Sequence, residues 1–152
     1  MKLAEALQER SDLNEKISRL RSRIYSNVLV QQGEKPVEDP VEMLEELKES
    51  VSRLEELIKK INLTNCKAVV DGVSLTEMIA KKDSLKILCN IYRETIEAAA
   101  RNTDRARGTE IKIVSAVDVT VLRKKENEVA KELRLLDNKL QQANWTIDLI
   151  DN

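Results

Sequence analysis

The chain has 152 residues, of which 41% are hydrophobic, 35% charged and 2% aromatic, with a formal net charge of -1 and no histidine. Such a length fits one domain with a core of its own, and the balanced charge sets up no global field that favours nucleic acid or an anionic membrane. The missing histidine removes Ser-His-Asp and Cys-His nucleophile systems, the common zinc sites and the Glu-x-x-His ligands of di-iron helical bundles.

Tyr25, Tyr92 and Trp145 are the aromatics, so a core of Leu, Ile, Val and Ala is implied. With three Gly and two Pro, the composition is that of long helices. Cys66 and Cys89 lack any CxxC spacing and read as free thiols, Cys89 buried. The segment from Met1 to Glu9 carries charges where a signal peptide needs an apolar stretch, and no apolar run approaches the roughly 18 residues of a membrane span. A cytoplasmic, soluble protein is expected.

Leu3, Ala6, Arg10, Leu13, Ile17, Leu20 and Ile24 alternate by three and four, which predicts a first helix ending between Ser26 and Gln32. Gly33 and Pro36-Val37-Glu38-Asp39-Pro40 break the pattern, with Asp39 as N-cap and Pro40 in the first turn of a second helix. Its predicted stripe is Leu44, Leu47, Val51, Leu54, Ile58, Ile61 and Asn65. Asp71-Gly72, between short aliphatic runs, supplies the positive φ of a small β-hairpin.

Ser74 with Glu77 forms a capping box that opens a third helix, whose stripe is Leu75, Met78, Lys82, Leu85, Cys89, Tyr92, Ile96 and Ala99. Ile79, Leu88 and Ile91 widen that apolar face, so this helix is expected to be the most buried. After a polar stretch around Gly108, Ile111 to Val114 is a candidate short strand for pairing with the hairpin. Ser115 with Asp118 gives a second capping box. The fourth helix carries Leu122, Glu126, Val129, Leu133, Leu136, Leu140, Ala143, Ile147 and Ile150. The expected fold is all-α: four long antiparallel helices of about 40 Å each in an up-down-up-down bundle forming a single domain over residues 1-152, with coiled-coil pairing between chains as the competing use of the same spacing.

Glu45, Glu46, Glu55 and Glu56 lie outside the stripes and read as a solvated face, and no phosphate-binding glycine loop is present. No catalytic activity, metal or cofactor is expected. Arg10, Lys82 and Glu126 stand on the stripes; the two cations are expected at one end, snorkelling to solvent there as the favoured reading, or else meeting Asp148 and Asp151 near the end of the fourth helix. Asn62, Asn65, Asn144 and Trp145 are expected to gather at that same end as a candidate interaction surface, with Trp145 either packed under the hairpin, the favoured reading, or exposed as an anchor. Arg101, Arg105, Arg107 and Lys112 form a candidate anion-binding loop at the opposite end, with Asp104, Glu110 and Asp118 interleaved and no aromatic beside them to stack on a base.

Several stretches together carry a family resemblance. They are Pro36-Val37-Glu38-Asp39-Pro40, Asn62-Leu63-Thr64-Asn65, Asp71-Gly72 with Leu75-Thr76, the segment from Glu110 to Val119, and Asn144-Trp145-Thr146. As a set, spanning nearly the whole chain, they resemble an uncharacterised family of small bacterial helical proteins, some of whose members are named septicolysin. The resemblance implies bacterial origin, a helical fold and a largely unassigned function; the name implies a pore-forming cytolysin, with no motif residue to transfer. Three functions are thus expected, in order. The first is a helical interaction module whose partner is a second copy, as a dimer or higher homo-oligomer, or another protein. The second is a membrane-active toxin, and the third a phosphate or nucleic-acid binder through the Arg101-Lys112 loop.

Overall fold

The computed structural model describes residues 1–101 and 111–151. They form helices α1 (Leu3–Asn27), α2 (Pro40–Lys67), α3 (Leu75–Ala100) and α4 (Val119–Thr146), and one hairpin of strands β1 (Val69–Val70) and β2 (Val73–Ser74). The all-α class with a small hairpin is as expected. Backbone proximity groups the chain into two compact units, Met1–Val70 with Ala143–Asn152, and Asp71–Gln142.

In the first unit α1 buries the predicted row: Leu3, Ala6, Leu20 and Ile24 are buried, and Arg10, Leu13 and Ile17 half-buried. The α2 row differs from prediction. Leu47, Leu54 and Ile61 turn inward as expected, but Met43, Ser50, Leu57 and Thr64 complete the buried face. Leu44, Val51 and Ile58 are 49%, 47% and 38% exposed. The helix is rotated by roughly 50° from the predicted facing, about half the 100° that separates successive residues.

Cross-helix charge explains the rotation. Arg53 donates to both carboxylate oxygens of Glu9 at 2.7 and 3.1 Å, Lys16 pairs with Glu46 at 2.9 Å, and Arg23 pairs with Glu38. Moving from Glu9 to Lys16 to Arg23 climbs α1 by seven residues a step while the partners descend by seven and then eight, so the helices are antiparallel. With Leu44, Val51 and Ile58 inward, Glu46 and Arg53 would swing behind α2 and the ladder would be lost.

Helix ends follow the predicted chemistry where the caps are local. Asp39 accepts from the Val41 amide at 2.8 Å, with Pro40 at the first helical position. Ser74 and Glu77 exchange both bonds of the capping box, at 3.2 and 2.9 Å. Asp71 (φ 52) and Gly72 (φ 82) both adopt the left-handed conformation that a two-residue hairpin turn requires. Two expectations at residues 111–118 are corrected. No strand forms at Ile111 to Val114, because no ladder partner satisfies its backbone among the described residues. The cap of α4 is Asp118, which accepts from Thr120 and Val121 at 2.9 and 3.2 Å, whereas Ser115 closes a turn onto Val117 and makes no capping box.

In the second unit α3 buries Leu75, Met78, Leu85, Cys89 and Ile96, on the predicted stripe. The expected widening of that face does not occur: Ile79, Leu88 and Ile91 are 37%, 39% and 52% exposed, as is Ile87 at 62%, so α3 is not a wholly buried helix. Lys82 pairs with Asp137, and eleven residues on Arg93 pairs with Glu126 eleven residues back, which sets α3 and α4 antiparallel.

Two outcomes follow. Leu57, fully buried, mutated to Ala should cost about 3 kcal/mol in chemical denaturation, whereas Val51→Ala should cost less than about 1 kcal/mol; equal costs would restore the other facing. Hydrogen bonds from Arg23, Lys16, Lys82, Lys2 and Lys60 are the first cause holding Glu38, Glu46, Asp137, Asp148 and Asp151 below their ordinary values. For carboxyls depressed on folding, the stabilisation is complete above the unfolded-state pKa and is lost as pH falls through the folded one. With no histidine to titrate, the melting temperature should be flat from about pH 5.5 to 7.5 and drop below about pH 4.

Candidate functional site

Asn62, Asn65, Asn144 and Trp145 all fall within the first unit, at the end where the last residues of the chain dock. The docking is built on backbone. The Leu3 amide donates to the Ile147 carbonyl and the Leu149 amide to the Met1 carbonyl, both at 2.9 Å. Lys2 adds an ion pair to Asp148 at 2.8 Å, and Lys60 one to Asp151 at 2.8 Å. Thr64, which is fully buried, donates its hydroxyl to the Lys60 carbonyl at 2.8 Å and accepts the Ile150 amide at 3.0 Å. The sequence reading placed Asn65 on the stripe; the residue that performs the structural task is its neighbour Thr64.

Asn65 and Asn144 are half-buried and Asn62 is exposed. Trp145 is 64% exposed, which corrects the expectation that it packs under the hairpin. It follows from position: one residue from the end of α4, Trp145 lies off the row that carries Leu136, Leu140 and Ala143 inward. A groove of about 400 Å³ in the first unit is lined by Glu56, Lys59, Lys60, Leu63 and Asp151, none of them among the four predicted residues.

The alternative in which the stripe cations meet Asp148 and Asp151 does not occur. Asp148 and Asp151 are taken by Lys2 and Lys60, Lys82 meets Asp137, and Arg10 has no ion pair among the described residues. Of the predicted anion loop, Arg105 and Arg107 lie outside the described residues, and Arg101 and Lys112 are exposed. The hollow beside Arg101, about 320 Å³, is lined mainly by aliphatic residues such as Ala98, Ile113, Val114 and Val117, with Arg101 the one cation among its described lining residues.

What sequence reasoning missed is the outer face of α2. Val41, Leu44, Val51 and Ile58 form a row 66%, 49%, 47% and 38% exposed, interrupted by Lys48 and Glu55. Two 3-4 rows sharing Leu47, Leu54 and Ile61 were present in the sequence, and of the residues they do not share, Leu44, Val51 and Ile58 are exposed while Met43, Ser50, Leu57 and Thr64 occupy the core. The signal was available: α2 has apolar residues enough for two rows.

Among the described residues no helix is long and apolar enough to cross a membrane, and no group of three His, Cys, Asp or Glu side chains is placed to hold a metal ion. Cys66 is exposed and Cys89 buried, and neither forms a disulfide.

Because Trp145 is the chain's one tryptophan, its exposure is directly measurable. Its emission should be red-shifted and quenched by iodide in dilute solution; blue emission insensitive to iodide would mean the ring is covered.

Residues 10–149 match a family of unknown function, DUF6847. The structure is similar to the crystal structure of a functionally unknown conserved protein from Corynebacterium diphtheriae, with a TM-score of 0.93 and 34% sequence identity over 99% of each chain. No curated protein matches the sequence. Neither similarity carries a cytolysin designation.

Proposed function

The chain belongs to the DUF6847 family of unknown function, and we propose that it is a non-catalytic, cytoplasmic helical module that self-associates through the outer face of α2. One observation carries this reading. Leu44, Val51 and Ile58 stay exposed while Ser50 and Thr64 take core positions, an arrangement that wastes hydrophobic surface unless something covers it.

A second copy fits that row by charge. A twofold axis crossing α2 near Val51 and Ser52, with the helices antiparallel, sets Leu44 against Ile58 and Val51 against itself, because a symmetric dimer uses the same patch twice. Glu45, Lys48, Glu55 and Lys59 then meet Lys59, Glu55, Lys48 and Glu45 of the second copy, opposite signs at every position. Within the isolated chain these side chains form only exposed pairs along α2, Lys48 with Glu45 at 3.8 Å and Lys59 with Glu55, which are free to be exchanged. A reducing cytoplasm suits a chain whose Cys66 and Cys89 form no disulfide.

Light scattering after size exclusion tests the reading. A dimer is expected, and Val51→Glu should dissociate it by placing two carboxylates on the axis. Lys48→Glu should raise the dissociation constant about tenfold, a loss near 1.4 kcal/mol, and adding Glu55→Lys should restore it. A strict monomer at high concentration would sink the proposal, and a dimer indifferent to Val51→Glu would move the interface elsewhere.

A second reading, membrane activity, draws on Val28, Leu29, Val30 and Val37 between α1 and α2, all 50% to 97% exposed. Dye release from liposomes at micromolar protein tests it; intact vesicles would end it.

A further inference from the structure

Between α3 and α4, inside the second unit, lies an open groove of about 430 Å³. Its charge is one-sided. Lys82, Lys86 and Arg93 from α3 and Arg134 from α4 line it against a single carboxylate, Asp137, in a chain whose formal net charge is -1. Lys82 is paired with Asp137, and Arg93 with Glu126 at 3.2 Å. Lys86 and Arg134, one from each helix, have no ion pair among the described residues. The remaining lining, Cys89, Ala130 and Leu133, is apolar.

We infer that this groove binds a small, soluble phosphomonoester with a short aliphatic body. The two unpaired cations set the ligand's charge: a phosphomonoester carries about two negative charges at neutral pH, where a single carboxylate would leave one cation uncompensated. The Arg134 fork and the Lys86 ammonium suit the several oxygens of a phosphate, approached from the two sides of the groove. The body is aliphatic because Ala130, Leu133 and Cys89 offer apolar contact and no aromatic side chain lines the groove to stack on a base. The size agrees, since small-molecule sites run from about 300 to 1,000 Å³. Asp137 stays ionised in its bond to Lys82, with Lys86 adding to its acidity through space, so it neutralises Lys82 and leaves Lys86 and Arg134 to the ligand.

Butyl phosphate is the probe. In titration calorimetry on the full chain at constant ionic strength it should bind, inorganic phosphate more weakly, and butanol not at all. Lys86→Gln combined with Arg134→Gln, both at exposed positions and so without consequence for the fold, should weaken binding at least about tenfold, the scale of losing two charge-assisted contacts. Affinity should also fall as pH drops through about 6, where the ester loses its second charge. Unchanged affinity in the double variant, equal binding of butanol, or no binding of butyl phosphate at millimolar concentration would each overturn the inference. So would a response confined to vesicles of phosphatidic acid.

Discussion

Much of the first unit depends on a single constraint, the charge ladder that fixes how α2 faces α1. Aliphatic rows are permissive. Leu, Val, Ile and Met exchange places in a helical seam at little cost, so apolar burial alone leaves the rotation of α2 open by half a residue. Glu9 with Arg53, Lys16 with Glu46 and Arg23 with Glu38 do not share that tolerance, because a rotation of roughly 50° carries Glu46 and Arg53 away from α1. Each pair is partly exposed and contributes little to stability singly. Their combined effect is specificity: they penalise the alternative facing even where its burial would be better.

The consequences run along the helix. Turning Met43, Ser50, Leu57 and Thr64 inward puts small hydroxyl residues in the core, where each must be satisfied. Ser50 does this by donating to the Glu46 carbonyl at 2.9 Å, and Thr64 to the Lys60 carbonyl. Thr64 keeps its oxygen lone pair for the Ile150 amide, so the same rotation that hides a polar residue also creates the acceptor that holds the end of the chain. No buried side-chain nitrogen or oxygen is left without a partner among the described residues. Stability and the outward apolar row therefore have one origin.

What the sequence made legible follows the range of each interaction. Four helices, the Asp39-Pro40 start, the Ser74 and Glu77 box and the Asp71-Gly72 turn depend on residues within four positions of one another, and all are present. The buried rows of α1 and α3 were legible because each has one dominant stripe. In α2 the two stripes share Leu47, Leu54 and Ile61, and the choice rests on Glu9, Lys16 and Arg23, which are far away in sequence. Ile111 to Val114 has the composition of a strand, but a strand needs a ladder that composition does not supply. The α3–α4 groove was hidden for the same reason: Lys86 and Arg134 are 48 positions apart in the sequence, and each alone reads as a solvated surface cation.

Exposed hydrophobicity by itself would have favoured a different contact face. Ile87 and Ile91 on α3 are each more exposed than three of the four residues of the α2 row, so a ranking by apolar surface would choose α3 for self-association. Charge reverses the ranking. An antiparallel pairing that sets Ile87 against Ile91 of a second copy brings Asp83 alongside Glu97 on the same flank, twice over, and like charges facing across an interface oppose association. Along α2 the same geometry matches opposite charges at all four positions. The proposed association through α2 thus rests on the polar residues between and beside its exposed aliphatic residues, the same kind of residue that sets the rotation of α2 against α1.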